Sequence, residues 1–321
     1  MTRPSAVPPP VTAVLDASSR WLPARLGEVE EQLRAALGSY GNGLGADADA
    51  TLAAGGKRLR PMLVLLCAGE PGGDASVRAA TAIELIHMAT LVHDDVLDEA
   101  PLRRGRPTVV ASSGRERAVA TGDLLFSRAF ALLADAGDSR AVSLLAAAAV
   151  ALARGELAQR HDAFDLTISE QRYLDRCRLK TAALFDCACR LGRDDDYLGA
   201  FGTEIGLAFQ LLDDVLDVAG PPERTGKARG TDLLDGTVTL PLIEAAADDP
   251  GIREADLRAL DPAAATVLCD RIAATGALDR VRARALEMVA SAKERLQSDR
   301  FKPEQRQLLG LVADGVVQRY S

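Results

Sequence analysis

Two segments of one pattern constrain this chain more than anything else in it: Asp94-Asp95-Val96-Leu97-Asp98 and Asp213-Asp214-Val215-Leu216-Asp217. Each lies in an apolar run, after Leu91-Val92-His93 in one case and Phe209-Gln210-Leu211-Leu212 in the other. Ionised carboxylates are costly to take out of water, so a chain that does this twice needs compensating charge at both places. On a helix, positions i and i+4 share a face, which aligns Asp94 with Asp98 and Asp213 with Asp217. Like charges at that spacing repel, and a bound divalent cation turns the repulsion into attraction. The donors are all oxygens, with no Cys or metal-spaced His nearby. That set suits Mg²⁺ rather than Zn²⁺. A solvated acidic helix face explains one such cluster as well as a metal does. It explains two matching ones, each in an apolar context, poorly.

The rest of the chain reads as helices. Ala and Leu dominate, β-branched runs are short, and the helical period recurs almost throughout. The pattern predicts helices over residues 22–37, 60–67, 76–98 (stopped by Pro101), 114–134, 139–161, 197–218, 240–247, 263–274 and 278–296, with another opened by Ser169-Glu170. The Ala-rich 139–161 segment is expected to be buried, since Ala lets helices approach closely. No strand alternation or Asn-Gly hairpin signal persists. The fold class expected is all-α. Residues 1–19 are expected to be a disordered N-terminal tail without an apolar signal core, and 20–321 a single domain. The loop 220–236 reads as functional rather than as a linker.

Bulk numbers narrow the function. Apolar residues make up 48% of 321, enough for a sizeable core. A net charge of −8 turns the reading away from nucleic acid. No apolar stretch is expected to span a bilayer uninterrupted, so no stable membrane insertion is expected. The five cysteines are odd in number and form no C-x-x-C, which suits free thiols in a reducing cytoplasm.

Basic residues are placed locally. Gly55-Gly56-Lys57-Arg58-Leu59-Arg60-Pro61 puts cations on a Gly-hinged helix entry. Arg103-Arg104-Gly105 follows the first acidic cluster at once, Lys180-Thr181 sits within a predicted helix, and Gly226-Lys227 follows the second cluster. Such residues bind phosphate oxygens, Arg as a two-pronged fork. Arg103 and Lys180 could instead be salt-bridge partners of the acidic clusters; Lys57 and Arg60 are remote in sequence from both. The combination suggests a divided site. Carboxylate-held Mg²⁺ would hold and activate one diphosphate as a leaving group, and a cationic patch would grip a second without activating it.

These residues resemble the trans-isoprenyl diphosphate synthases, the polyprenyl synthetase family. The match runs from Gly55–Pro61 through His93–Asp98, Arg103-Arg104-Gly105, Gly122-Asp123, Gly155-Glu156, Lys180-Thr181, Gly206–Asp217, Gly226-Lys227, Asp232-Leu233 and Thr239-Leu240-Pro241. It covers roughly residues 20 to 320. The resemblance implies an isoprenoid-synthase-type helical bundle around a central cavity, a homodimer, and three Mg²⁺ per active site. Asp94, Asp98 and Asp213 would be the principal ligands, with Asp95, Asp214 and Asp217 beside them. Arg103, Lys180, Gln210 and Lys227 would bind the allylic diphosphate, with Lys180-Thr181 and Gln210 also facing the allylic cation. Lys57, Arg60, His87 and Arg104 would bind isopentenyl diphosphate. Without the resemblance His87 reads as a satisfied buried histidine. Thr237 stands where the family often has Lys, which implies weaker allylic binding rather than loss of activity.

The resemblance also implies that chain length is measured along the helix of the first motif. Ala89 and Thr90, one turn before Asp94, are small, and no residues are inserted between Asp94 and Asp98. Both features point to a medium or long product, with Phe126 or Phe130 as a tunnel floor or as ordinary core. A geranylgeranyl product is the shorter alternative. A class I terpene cyclase fits less well, because the second motif is all-aspartate and aromatics are only 4%. A di-iron bundle fails by count, since only Glu84-Leu85-Ile86-His87 has the Glu-x-x-His pattern it needs twice. A non-catalytic partner subunit would tend to lack the aspartates that this chain keeps.

Overall fold

A computed structural model describes residues 9–38, 43–70, 72–220, 229–297 and 299–318. Helices α1 to α5 are Pro9–Ala17, Leu22–Leu37, Leu44–Ala53, Leu59–Ala68 and Asp74–Leu97. A two-residue ribbon follows, β1 (Leu102–Arg103) antiparallel to β2 (Arg106–Pro107). Helices α6 to α11 are Val109–Ser113, Arg115–Asp135, Ser139–His161, Glu170–Cys177, Ala183–Gly192 and Asp196–Ala219. Further helices cover Thr231–Leu234, Leu240–Asp248, Pro250–Arg253, Pro262–Ala274, Ala277–Arg295 and Pro303–Gln318. The ribbon holds the only strands among the described residues, so the all-α expectation stands.

The helices group into two compact units. One comprises residues 1–149, 187–199 and 299–312, the other 150–186, 200–298 and 313–321. In the first, α5 carries a buried stripe from Val77 to Val96 and packs most extensively on α7. Gly122 of α7 makes the close approach possible. A Cβ there would lie 2.1 Å from Nε2 of His93, whose ring stacks on Phe126 at 5.8 Å. In the second unit, Gly155 and Gly206 do the same job. A Cβ at Gly155 would lie 2.5 Å from the Lys180 backbone nitrogen, and one at Gly206 would lie 2.7 Å from the Ala182 Cα. Both glycines serve close helix approach, the use for which a missing Cβ is suited.

Four expectations need correction. The segment read as a disordered tail to residue 19 contains α1, and Val14 and Ser18 in it are buried; the Val14 carbonyl accepts from the Ser18 hydroxyl at 2.5 Å. Helix α8 is not buried all round. Ala141, Leu145, Ala148 and Leu152 form its inward stripe, while Val150 and Leu157 are 59% and 71% exposed. Helices α5 and α8 are also long and apolar enough to cross a membrane by length and composition, the apolar window of α5 being 72% buried within the protein and that of α8 28%. Lastly, Lys180-Thr181 does not continue an α-helix, because Arg178–Ala182 is a π turn between α9 and α10. No disulfide joins the cysteines, all five of which are buried.

Candidate active site

The first acidic cluster closes α5. The Asp98 N–H donates to the Asp94 carbonyl at 2.8 Å, and Glu99 then takes a φ of 49°, ending the helix. Asp94 is half-buried and Asp98 exposed, on the shared face that the i, i+4 spacing predicts. Asp95 points the other way and is 5% exposed. Its Oδ1 accepts from Nε and Nη2 of Arg103, both at 2.8 Å. The salt-bridge alternative for Arg103 is therefore realised, on the buried member of the cluster. The β1–β2 turn that presents Arg103 is made by Arg104 (φ 52°) and Gly105 (φ 73°). Two positive φ values match the hairpin turn that follows the natural strand twist. The sequence reading treated this tripeptide only as a source of cations, since Arg is an uncommon residue at such a position.

Beside this turn lies a pocket of about 590 Å³, counted with its open mouth, lined in part by Arg58, Glu84, His87, Asp95, Arg103 and Arg104. Gly56 lets two of the cations meet the loop, since a Cβ there would be 3.0 Å from Nη1 of Arg58 and 3.2 Å from Nη1 of Arg104. Arg58 sits in the left-handed region (φ 48°) as α4 begins. It bonds Glu30 and, at 2.7 Å, the buried Glu84. Burial alone would lower Arg58, but Glu30 and Glu84 hold it above its ordinary value. Arg60 is pushed down to about 10 by burial, with Glu84 opposing. His87 is held well below the ordinary histidine value, first by burial and then by Arg60, Arg104, Arg103 and Arg58. A neutral imidazole ringed by guanidiniums is a bay short of negative charge, which suits an anion. The structure brings Arg60 and Arg104 near His87, while Lys57 is exposed on the adjoining loop. Sequence reasoning missed Arg58 and Glu84 as its supports.

The second cluster lies near the end of α11 and repeats the alternation. Asp213 is exposed, Asp217 half-buried and Asp214 2% exposed. Among the described residues, Asp214 is bonded by neutral donors. Its Oδ2 accepts from the Tyr173 hydroxyl at 2.5 Å, and its Oδ1 from Nε2 of Gln210 at 2.7 Å. Oε1 of Gln210 in turn accepts from the Thr181 hydroxyl at 2.7 Å. Burial pushes the Asp214 carboxyl up to about 7, with Tyr173 and Gln210 pulling it back. One oxygen of Asp217 accepts the Asp232 N–H at 3.2 Å, at the start of the Thr231–Leu234 helix.

The π turn explains how α9 reaches two points on α11. A straight α-helix at 3.6 residues per turn would leave Thr181 about 80° around from Tyr173, eight residues earlier. The wider turn adds a residue and brings Thr181 back toward the Tyr173 face. Gln210 and Asp214, one helical turn apart, receive the two hydroxyls. Lys180 in the same turn pairs with Glu156 of α8. Burial would raise Glu156, but Lys180 and Arg160 hold it below its ordinary value. Arg176, buried, donates to the Val238 carbonyl at 2.6 Å and lies 5.3 Å from the Tyr173 ring centroid. It ties that ring to the Thr237 segment, where the Thr237 N–H donates to the Asp232 carbonyl at 2.8 Å. Lys227 and Gly226 lie outside the described residues. Tyr173 was missed in the sequence, where one tyrosine seven residues before Lys180 carries no signal.

Of the chain-length candidates, Ala89 is fully buried and the Thr90 hydroxyl bonds back to the His87 carbonyl at 2.8 Å. Phe126 stacks on His93, and Phe130 is half-buried on the same helix. Among the described residues, no three His, Cys, Asp or Glu side chains converge as a ready-made metal cage. Mg²⁺ takes one or two carboxylates and fills its octahedron with waters and phosphate oxygens. The outward carboxylates offer such an open, oxygen-only set.

The chain is also similar to known proteins. The family model described as polyprenyl synthetase matches residues 43–265. The chain is 43% identical over 249 residues to heptaprenyl diphosphate synthase component 2 of Geobacillus stearothermophilus, covering 73% of this chain and 77% of that one. It is 39% identical over 201 residues to octaprenyl diphosphate synthase of Escherichia coli, covering 60% and 62%. A crystal structure of polyprenyl synthase from Caulobacter crescentus, complexed with calcium and isoprenyl diphosphate, superposes with a TM-score of 0.89 at 34% identity, covering 99% and 100%. With its helical fold, its paired acidic clusters and these likenesses, the chain belongs to the polyprenyl synthetase family.

Proposed function

We propose that this prenyltransferase is a Mg²⁺-dependent trans-polyprenyl diphosphate synthase that condenses isopentenyl diphosphate, 1′–4 and repeatedly, onto an allylic diphosphate. The observation that carries the reading is the matched alternation of the two clusters. In each, Asp94 or Asp213 at the first position and Asp98 or Asp217 at the fifth lie nearer the surface, while the second aspartate is buried and bonded. Three Mg²⁺ held by Asp94, Asp98, Asp213 and Asp217 would stabilise the charge developing on the departing diphosphate.

The chain's own side chains supply the rest. Lys57, Arg60 and Arg104 grip the diphosphate of isopentenyl diphosphate, and His87 donates a hydrogen bond to it. Arg103, anchored by Asp95, Lys180 and Lys227 orient the allylic diphosphate. The Oε1 of Gln210 and the hydroxyl of Thr181 turn their negative ends toward the allylic carbon as it becomes positive. The isopentenyl double bond then attacks it, and the proton lost leaves with the diphosphate. No side-chain nucleophile is needed. The small Ala89 and Thr90 let the growing tail pass along α5, giving a medium-length product of the hepta- or octaprenyl kind, with Phe126 or Phe130 as floor.

The enzyme acts in the cytoplasm as a homodimer. The exposed Val150 and Leu157 of α8 supply apolar surface for a second copy. Incubation of the purified chain with labelled isopentenyl diphosphate and starters of several lengths, followed by chromatography of the products, tests the activity. A ladder ending at medium length, abolished by excess chelator, is the expected result. Full turnover in chelator, or hydrocarbon released from farnesyl diphosphate alone, sinks the reading. Light scattering tests the dimer, and activity that appears only on adding a second protein would replace the homodimer by a two-component enzyme.

A further inference from the structure

We infer that Tyr173 is a positioning residue that acts through Asp214 to hold the Gln210 amide with its oxygen, not its nitrogen, toward Thr181; this rests on the prenyl-transfer reading above. The two ends of a side-chain amide are alike in shape, so orientation must come from partners. Here the carboxylate fixes the assignment, since the Thr181 hydroxyl can donate or accept. Asp214 accepts at both of its oxygens, so it faces the Gln210 NH₂ (2.7 Å). Thr181 then donates to Oε1 (2.7 Å). The Tyr173 hydroxyl occupies the other Asp214 oxygen (2.5 Å) and stops the carboxylate from turning.

The order Tyr173–Asp214–Gln210–Thr181 therefore works as a direction code. It points the negative end of the Gln210 dipole at the π turn that carries Lys180 and Thr181. A flipped amide would present N–H groups to a developing cation and raise the barrier to ionisation. Ground-state binding would be little affected, because neither Tyr173 nor Asp214 is exposed: they are 1% and 2% accessible. The code also gives Asp214 a role distinct from Mg²⁺ ligation, since both of its oxygens are engaged inside the second unit.

Two variants test this. Tyr173→Phe removes the hydroxyl while preserving the ring. Asp214→Asn can both donate and accept, so it erases the direction without emptying the position. Each should lower kcat by about tenfold, the scale of one hydrogen bond to a charged group. KM for both substrates and the half-saturating Mg²⁺ concentration should stay within about twofold of wild type, because ground-state binding is not what is removed. In metal-free protein, the Gln210 side-chain NH₂ resonances, assigned by their loss in Gln210→Leu, should shift in both variants. A fall in melting temperature with unchanged kcat would show a merely structural tyrosine and overturn the inference. So would a raised Mg²⁺ requirement in Asp214→Asn, which would make Asp214 a ligand after all, or unmoved NH₂ resonances. Wild-type turnover with a fully active Tyr173→Phe overturns this inference alone; an inactive wild type overturns the prenyl reading with it.

Discussion

The two acidic clusters share five residues letter for letter and differ in how each neutralises its buried member. At the end of α5, Asp95 is met by a cation, Arg103, delivered by the hairpin turn that follows. On α11, Asp214 is met by neutral donors, the Tyr173 hydroxyl and the Gln210 amide. Neutral donors in a dry surrounding leave desolvation the upper hand, and Asp214 rises to about 7. In the first cluster the buried aspartate anchors a phosphate-binding arginine. In the second it orients an uncharged dipole. Identical motifs thus hold different kinds of group in place, and the neighbours set the difference.

The largest effect should come from the members the clusters have in common. Asp94→Ala or Asp213→Ala is expected to lower turnover by orders of magnitude, with circular dichroism and melting temperature near wild type because both side chains lie toward the surface. Equal and total loss in both would sharpen the symmetry. Loss in one alone would break it.

Chain length comes next. Ala89 is fully buried, so Ala89→Phe should shorten the product and also lower the melting temperature, overpacking costing about 1–3 kcal/mol. An unchanged product ladder removes Ala89 from the tunnel.

The buried members should then separate the clusters by stability. Arg103→Met strands a buried carboxylate and is expected to cost about 2 kcal/mol by denaturant titration, less than for a fully enclosed pair because Arg103 is 28% exposed. Asp214→Asn keeps a polar group beside the neutral Tyr173 and Gln210 donors and should cost less. The reverse order would refute the comparison.

The smallest effect is in pH dependence, and its sign differs between the two units. Asp214 is raised, so the native state holds a proton that the unfolded chain releases. Its contribution to stability is full below the ordinary carboxylate range and is lost as pH rises through about 7. His87 is lowered, so the unfolded chain takes a proton that the native state refuses, and stability falls as pH drops below about 6.5. In metal-free protein, Asp214→Asn should flatten the melting-temperature profile between about pH 4 and 7. His87→Gln should flatten it below about pH 6.5.

Local pattern reached far into this molecule. Helix period, Ala and Leu content, the cap at Ser169 and the stop at Pro101 placed most helices within a few residues, because amphipathic burial repeats every 3.6 residues whatever the partner. The i, i+4 spacing put Asp94 with Asp98 and Asp213 with Asp217 because that relation is internal to a helix. The exposed side of α8 was misread, since an Ala-rich helix looks alike whether Val150 and Leu157 meet a neighbour or water. The Arg178–Ala182 π turn left no mark in composition, and neither did the left-handed Arg104.

Residue types and their spacing sufficed for the chemistry on offer: oxygen donors for a hard cation, guanidiniums and lysines for diphosphates, small residues ahead of Asp94. Which aspartate faces outward, which lysine is engaged by Glu156 and which tyrosine sits on Asp214 required the packed chain. Those facts depend on groups brought together from 41 or 24 positions apart, Tyr173 to Asp214 and Glu156 to Lys180. A sequence lists such groups separately, and only close packing gives them a distance, a dielectric and a direction.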